Sequence, residues 1–291
     1  MQEIKQGNLF GILAILLWST LAALSVLTRE IPPFQLVSMS FFIASFIGLF
    51  MLKKQKHSIK KLLHIPFSSW IIGIIGLFGY HFFYFFAIKN APVIEASLIN
   101  YLWPLLIVLF SAFLPNEKLK WFHILGSLFG LLGAFLLVSK HGSFELKSEY
   151  LAGYIYALIA ALIWSSYSVI SRKLSHIPTY SVAGFCMATT ILSLICHFIF
   201  EVTVIPDFTQ ILSIIMIGLG PVGGAFYVWD YGMKKGDIKL MGSLAYFAPL
   251  LSTFILIVFS LAVMNQTIAI ACLLIILGSL ISSKESIAKL L

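Results

Sequence analysis

Long apolar stretches alternate with short polar connections along the whole chain. A helix that crosses a bilayer needs about 20 mostly apolar residues. Ten segments meet this requirement: 9–28, 33–52, 70–88, 93–114, 121–139, 151–171, 180–200, 210–233, 240–261 and 265–283. The longest connection, 53–69, leaves no room for a separate soluble domain. The pattern therefore predicts an all-α integral membrane protein with ten transmembrane helices.

Basic residues are concentrated at alternate ends of these segments. Fifteen of the 19 Lys and Arg residues fall at the N-terminus, in the even-numbered connections or at the C-terminus, and four fall on the other side. Cytoplasmic loops of membrane proteins carry such an excess. Both termini are therefore predicted to lie in the cytoplasm. An error in the number of spans would disturb the alternation, so the asymmetry also supports ten.

The composition agrees with a membrane protein. Hydrophobic residues make up 60% of the chain, charged residues 10%, and the mean hydropathy is +1.02, whereas a soluble domain carries about 25% charged residues. The net charge of +8 is attributed to loop lysines rather than to a nucleic-acid partner. The three cysteines lie in apolar runs without disulfide or zinc spacing. The first apolar segment lacks a cleavage pattern and is predicted to be a permanent span.

The two halves of the chain share a pattern. Leu16–Thr20 (LLWST) corresponds to Leu162–Ser166 (LIWSS) at an offset of 146, and Tyr101 and Pro104 meet their counterparts at an offset of 145. We predict two five-helix repeats, 1–145 and 146–291, that together form one transmembrane transporter unit. Because five is an odd number, the repeats are predicted to be inverted. Secondary transporters of this design bind their substrate near mid-membrane, between the halves, and alternate between two openings.

Aromatic and polar side chains at mid-span depth are predicted to line a central cavity. Tryptophan is usually found at headgroup level, but Trp18 and Trp164 lie near the middle of their spans. Aromatic faces with a few hydroxyl, imidazole and amide groups suit a medium-sized organic molecule. For each residue, core packing is the alternative. The predicted substrate-binding residues are Trp18, His81, Tyr84, Asn100, Tyr101, Trp103, Trp164, Tyr227, Trp229 and Tyr246.

Glycines and prolines mark possible hinges. Pro104 and Pro249 lie near mid-span, and each is predicted to leave the carbonyl four residues earlier, at Asn100 or Ala245, without its helical donor. Such a carbonyl is tolerated where it faces protein or a water-filled cavity. Bending or close helix packing is the alternative. The predicted gating or hinge residues are Gly79, Pro104, Gly220, Pro221, Gly224 and Pro249.

Two ionisable residues within the spans are candidates for proton coupling, His81 and Asp230. A neutral structural histidine, and an end-of-helix ion pair of Asp230 with Lys234 or Lys235, are the alternatives. The chain contains no phosphate-binding loop, no H-E-x-x-H and no G-x-S-x-G. We therefore expect no cofactor and no metal. A transporter is favoured over an enzyme, although an intramembrane enzyme is an alternative from a different class.

Two stretches resemble a known family. They are EASLINYLWPLLIVLFSAFLPNEKL, residues 95–119, and GGAFYVWDYGMKKGDIKLMGSLAYFAPLLS, residues 223–252. Both resemble the EamA family of the drug/metabolite transporter (DMT) superfamily, and within it the YddG-type exporters of aromatic amino acids. The resemblance covers the whole chain. It implies ten spans in two inverted repeats and a central cavity lined by His81, Tyr84, Tyr101, Trp103 and Trp164.

The resemblance also implies a function. The expected activity is secondary or facilitated export of amino acids, aromatic and other neutral ones, from the cytoplasm across the bacterial inner membrane. Export of another small metabolite, or of a lipophilic or quaternary-ammonium drug, is the alternative. The expected partners are a small-molecule substrate and membrane lipid. The sequence is compatible with a monomer and does not fix the oligomeric state.

Overall fold

The computed structural model describes residues 2–115, 117–139, 147–260 and 263–284. Within these ranges the secondary structure is helical and includes no β-strand. Helices satisfy their own backbone hydrogen bonds, which lipid cannot do for them. The α-helices are α1 (Gln2–Ser19), α2 (Leu21–Leu27), α3 (Pro33–Lys54), α4 (Lys60–Leu63), α5 (Phe67–Ile74), α6 (Tyr80–Asn90), α7 (Val93–Asn100), α8 (Trp103–Phe110), α9 (Trp121–Val138), α10 (Leu151–Lys173), α11 (Val182–Phe200), α12 (Phe208–Leu219), α13 (Ala225–Lys235), α14 (Ile238–Leu244), α15 (Phe247–Val258) and α16 (Gln266–Ser282).

Nine helical segments of the described ranges are long and apolar enough to cross a membrane. They are Gln2–Leu27, Pro33–Lys54, Phe67–Asn90, Val93–Phe113, Trp121–Val138, Ser148–Lys173, Thr179–Phe200, Phe208–Lys235 and Ile238–Val258. Helix α16 corresponds to the tenth predicted span, and with 17 residues it is apolar but shorter. Residue 261 of the ninth predicted span, and the end of the chain, lie outside the described residues. The count of ten and the cytoplasmic termini remain predictions.

The first helix begins at Gln2, earlier than the predicted start at residue 9. The sequence prediction considered apolar residues only, whereas the extra turns are polar and are held by partners on α13. Lys235 pairs with Glu3 at 2.7 Å, and the Tyr231 hydroxyl donates to Gln6 at 3.2 Å.

Helices from the two halves of the chain pack against each other. The main pairs are α3 with α11, α9 with α16, α1 with α13, and α6 with α10. Each pair joins one helix before residue 145 to one after it, so the core lies between the halves. The glycines of α9 allow close packing inside the fold, because a Cβ on Gly126 would overlap the Gly278 carbonyl oxygen of α16.

Two helices contain a π-helical segment at equivalent positions. Ile75–Gly79 separates α5 from α6, and Gly220–Gly224 separates α12 from α13. The segments are offset by 145 residues, the spacing of the predicted repeat. Helices α7 and α8, and helices α14 and α15, are likewise separated by two non-helical residues. The inverted relation between the halves remains a prediction.

The two mid-span prolines begin helices instead of bending them. Pro104 is the second residue of α8 and Pro249 the third of α15. A proline is well tolerated in the first turn, where its missing N–H is not needed. The predicted free acceptor at Ala245 is wrong, because its carbonyl accepts a hydrogen bond from the Ala248 N–H at 3.1 Å. The local turn at the break supplies the donor that a continuous helix would have lost.

Candidate functional site

Four tryptophans from four helices meet at the centre of the fold. Trp18 of α1, Trp103 of α8, Trp164 of α10 and Trp229 of α13 form what we call the tryptophan tetrad. All six pairs are in ring contact, with centroid distances from 4.9 Å for Trp18–Trp229 to 6.4 Å for Trp103–Trp164 and Trp164–Trp229. Trp18 is half-buried, and the other three indoles are buried.

The tetrad forms because the helices that carry it pack across the two halves. Helix α1 packs on α13, and α10 packs on α8. The indole N–H of Trp229, which is fully buried, donates to the Ser168 hydroxyl at 3.1 Å. Phe226, one turn before Trp229, packs edge-on against Trp164 at 5.4 Å. The result is an aromatic layer to which each half contributes two tryptophans.

Tyrosines extend this layer along α6. Tyr80 contacts Trp164 at 5.6 Å and stacks on Tyr84, with centroids 6.0 Å apart and an interplanar angle of 5°. Tyr80, Tyr84 and Tyr101 are all half-buried. The sequence prediction missed Tyr80. Its signal was the four-residue spacing from Tyr84, which places both rings on one helix face.

Amide and hydroxyl groups accompany the tyrosines. The Asn100 side chain donates from Nδ2 to the Tyr80 hydroxyl at 3.1 Å, and the Tyr84 hydroxyl lies 3.1 Å from Ser97 Oγ. Asn100 Oδ1 is buried and has no hydrogen-bond partner within the described protein. A buried amide oxygen without a donor is costly, so Asn100 offers an acceptor to a ligand or a water molecule.

His81 lies beside the tetrad and faces aromatic rings. Its Nδ1 atom is 2.7 Å from the Leu77 carbonyl oxygen in the preceding turn. Its ring packs against Phe41 at 5.2 Å and Phe226 at 6.1 Å. Because Nδ1 is engaged with the backbone, Nε2 is the ring atom left for a substrate or a proton. Both predicted roles of His81 remain predictions.

Asp230 has two close partners. Its carboxylate is 2.8 Å from the Lys234 ammonium, one turn later on α13, and accepts from the Thr179 hydroxyl at 2.7 Å. Lys234 also donates to the Ile177 carbonyl at 2.8 Å. This is the geometry of the ion-pair alternative, and it ties α13 to the segment that precedes α11. A role in proton coupling remains a prediction.

The hydroxyls of Tyr227 and Tyr246 are both engaged by backbone groups of other helices. The Tyr246 hydroxyl donates to the Tyr101 carbonyl at 3.3 Å and accepts from the Leu105 N–H at 3.2 Å. These two groups are four residues apart and would bond to each other in a continuous helix. The hydroxyl is thus inserted into the backbone ladder between α7 and α8, and it has no donor left for a cavity.

Tyr227 repeats this arrangement on another helix. Its hydroxyl donates to the Ala44 carbonyl at 2.9 Å and accepts from the Gly48 N–H at 3.1 Å. Ala44 and Gly48 are again four residues apart, here within α3. An inserted side chain is a recognised cause of helix bending. Both tyrosines therefore connect helices of different halves through their hydroxyls, a role that the sequence did not reveal.

The predicted hinge residues lie at irregular points of the helices. Gly79 ends the first π-helical segment, and the second contains Gly220, Pro221 and Gly224. Single π-helical turns are frequent at functional sites. Pro104 and Pro249 stand at the starts of α8 and α15, directly after the breaks. These placements are compatible with the hinge role, which remains a prediction.

Helices α3, α10 and α13 each end in Lys or Arg residues, and we call this end of the bundle the lysine-rich end. Charged residues join helices there. Glu117, in the connection before α9, pairs with Arg172 of α10 at 3.4 Å and also with Lys239 of α14. Arg172 additionally donates to the carbonyls of Met233 and Lys234 at the end of α13. Within the described parts of the chain, no group of three His, Cys, Asp or Glu side chains could hold a metal ion.

A family comparison explains this architecture. The EamA-like transporter family matches the chain twice, over residues 5–139 and 151–284. The chain belongs to this family. Together with the apolar spans, membership identifies a multi-pass transporter of the bacterial inner membrane, not an enzyme. The tetrad draws Trp18 and Trp103 from the first matched region and the other two indoles from the second.

Curated relatives and a solved structure agree with the family. The aromatic amino acid exporter YddG of Ancylobacter novellus is 48% identical over 280 residues, which cover 96% of this chain and 97% of that protein. The protein of the same name from Escherichia coli is 24% identical over 288 residues, 95% of this chain and 96% of that one. A crystal structure with 47% identity superposes with a TM-score of 0.93 and covers 96% and 97% of the two chains.

Proposed function

We propose that this protein exports aromatic amino acids from the cytoplasm by alternating access, with the substrate held against the tryptophan tetrad. The observation that carries the proposal is the tetrad itself, in which indoles from both matched regions share one site. The names of the relatives, aromatic amino acid exporters, support the same substrate class.

The chemistry of the site favours a zwitterion with an aromatic ring. Offset or edge-on ring pairs are worth about 0.5–1.5 kcal/mol beyond their area burial, so the tetrad and Tyr80 favour an aromatic side chain. The free Oδ1 of Asn100 is available to an ammonium group. Asp230, next to the tetrad, is already neutralised by Lys234. A cargo without net charge therefore suits the site better than a phosphorylated one, which would require a free cation.

The arrangement around the tetrad supports alternating access. Charged pairs lie at the lysine-rich end, on one side of the tetrad. The π-helical segments beside the tetrad, with Gly79 and Gly224 at their ends, are the proposed bending points. Opening the charged end while the opposite end closes would move a bound amino acid across the membrane. The paired repeats, 1–145 and 146–291, are the proposed moving units.

Efflux from liposomes tests the proposal. Purified protein is reconstituted with labelled phenylalanine or tryptophan inside, and protein-dependent release is expected. Trp164→Ala is expected to reduce the release about tenfold or more, because 1.4 kcal/mol is a factor of ten and a lost indole contact exceeds this. Trp121→Ala, which removes an exposed tryptophan outside the tetrad, is the control. Release of no amino acid by the wild-type protein would overturn the substrate assignment.

A quaternary-ammonium cargo is the second candidate. Indole faces attract organic cations, and the tetrad presents four of them in one place. The same liposomes loaded with labelled tetraethylammonium separate the two cargos. Trp164-dependent release of this cation, without release of any amino acid, would select the second candidate.

A further inference from the structure

A cavity lies at the lysine-rich end of the molecule, and no residue of the tetrad lines it. It has a volume of about 420 Å³ and is formed between the connection of α3 to α5 and the segment that leads into α11. Its lining includes Lys61, His64, Pro66, Ile177, Pro178 and Tyr180. Small-molecule sites have volumes of about 300–1,000 Å³. The cavity is large enough for a lipid headgroup.

The walls of this cavity are held by their own hydrophobic cluster. Leu52, Leu62, Ile65, Ile177 and Tyr180 are all buried against one another. The cluster packs helix α4 against the segment before α11, so buried side chains support the walls of the cavity. The Ile177 carbonyl also accepts from Lys234, which joins the cavity wall to α13, the helix that carries Trp229.

The charge around the cavity is positive. The connection from residue 51 to 69 contains five lysines and no acidic residue, and the segment 171–181 contains no acidic residue either. Asp230 reaches this region through Thr179, but Lys234 neutralises it. The Lys61 ammonium faces His57, at 3.2 Å from Nε2, and not a carboxylate. An anion would be attracted to this site.

Apolar side chains beside the cavity place it at a membrane surface. Ile59, Leu63 and Phe67 are 63%, 78% and 78% exposed, and they follow one another at four-residue intervals. Ile59 and Leu63 lie at the two ends of α4, and Phe67 begins α5. Apolar residues next to lysines are typical of a segment that lies at the boundary between lipid headgroups and acyl chains.

A lysine occupies a left-handed backbone position that glycine adopts at lower steric cost. Lys56 follows the C-cap of α3 and has φ of 55°. The Lys56 N–H bonds to the Lys53 carbonyl and the His57 N–H to the Leu52 carbonyl, which is the Schellman arrangement. Glycine usually occupies the left-handed position because other residues pay a steric cost there. At this cost, the chain retains a positive charge next to His57, which contacts Tyr180 of the cavity wall.

We propose that this cavity binds the phosphate headgroup of an anionic phospholipid from the cytoplasmic leaflet. Lys61 and His64 contact the phosphate, Lys56 adds to the positive potential, and Ile59, Leu63 and Phe67 lie among the acyl chains. Basic clusters next to transmembrane helices recognise anionic lipids in this way. The cavity is distinct from the tetrad, so the inference does not depend on the transported substrate.

Thermal unfolding in detergent tests the proposal. The full chain in a neutral maltoside detergent is titrated with phosphatidylglycerol, with phosphatidylcholine, or with inorganic phosphate. Phosphatidylglycerol is expected to raise the Tm of the wild-type protein in a saturable manner, whereas the other two are not. The Lys61→Gln/His64→Gln variant is expected to need about fivefold or more phosphatidylglycerol for the same shift, since one lysine near a membrane surface contributes about this factor.

Matched variants distinguish the site from general charge effects. Lys5→Gln/Lys118→Gln removes two exposed lysines that do not line the cavity and should respond like the wild type. Lys56→Gly is expected to weaken the lipid response without lowering the Tm in detergent alone, because glycine suits the left-handed position. An equal lipid response in all variants would overturn the proposal. An equal shift with inorganic phosphate would overturn the lipid as the occupant.

Discussion

At the level of single residues, the hydrogen bonds of an aromatic side chain determine whether its polar group is free to contact a substrate. Trp229 gives its indole N–H to a serine hydroxyl, and Tyr227 and Tyr246 give their hydroxyls to backbone groups of other helices. A polar group in an apolar interior costs free energy unless it is bonded. The polar groups of these three rings are therefore already engaged within the protein, whereas Tyr80 and Tyr84 remain half-buried beside the tetrad.

Removing the Tyr80 hydroxyl tests its link to Asn100. In Tyr80→Phe the Asn100 amide loses the acceptor for Nδ2, while its Oδ1 already has no protein partner. We expect the free energy of unfolding to fall by about 1–3 kcal/mol, the cost of an unsatisfied buried polar group. Thermal unfolding in detergent measures this. Tyr84→Phe should cost less, because Ser97 can turn its hydroxyl to a carbonyl of its own helix. A larger loss for Tyr84→Phe would contradict this assignment.

At the level of the helices, irregularities occur at matching places in the two halves. The π-helical segments Ile75–Gly79 and Gly220–Gly224 interrupt two helices that face the tetrad. Tyrosine hydroxyls are inserted into α3 and into the α7–α8 break. By contrast, α9 and α16 are continuous and pack through glycines. The molecule thus combines a tightly packed helix pair with interrupted helices around its centre.

The same glycine-to-alanine change should therefore lower the Tm in one of these regions and leave it unchanged in the other. In Gly278→Ala the new methyl group would overlap the Gly126 carbonyl oxygen and force α9 and α16 apart. Overpacking typically costs about 1–3 kcal/mol, so the Tm should fall. In Gly79→Ala the nearest atoms are 3.6 Å away, an ordinary contact, and the Tm should be unchanged. Equal Tm values for the two variants would show that α9 and α16 can adjust.

At the level of the whole molecule, a charged network joins helices that are far apart in sequence. The side chains of Glu117, Arg172 and Lys239 are 18%, 25% and 12% exposed, so solvent screens them only in part. Removing one member of such a network leaves the opposite charges without a partner, which is more costly than losing an exposed pair. The network therefore stabilises the contacts of the α8–α9 connection with α10 and α14.

Neutralising Glu117 tests this function. In Glu117→Gln, Arg172 and Lys239 lose their shared anion, and we expect faster hydrogen–deuterium exchange of the backbone amides at 236–240. Mass spectrometry of the full chain in detergent measures the rate. Glu3→Gln is the control, because it breaks a pair in which Glu3 is 65% exposed. If both variants exchanged at the wild-type rate, the network would not stabilise this end of the molecule.

The sequence determined the local properties of the protein. The length and apolar content of each segment predicted the helices to within a few residues over most of the chain, because crossing a bilayer is a requirement on a single segment. The depth of Trp18 and Trp164 within their spans indicated that these indoles belong inside the bundle, not at headgroup level. The spacing of 145 residues related Pro104 to Pro249, and both prolines directly follow a helix break in the structure.

Only the tertiary structure decided which of the mid-depth residues meet. Tyr246 and Tyr101 correspond in the repeat, yet the hydroxyl of Tyr246 closes a backbone gap while Tyr101 remains half-buried. Tyr80 entered the aromatic layer although it was not predicted there. The direction of a side chain depends on the rotation of its helix and on partners more than 140 residues away, as in the pairing of Leu105 with Tyr246. Hydrophobic pattern fixes the depth of a residue in the membrane, whereas packing between helices fixes the direction in which it points.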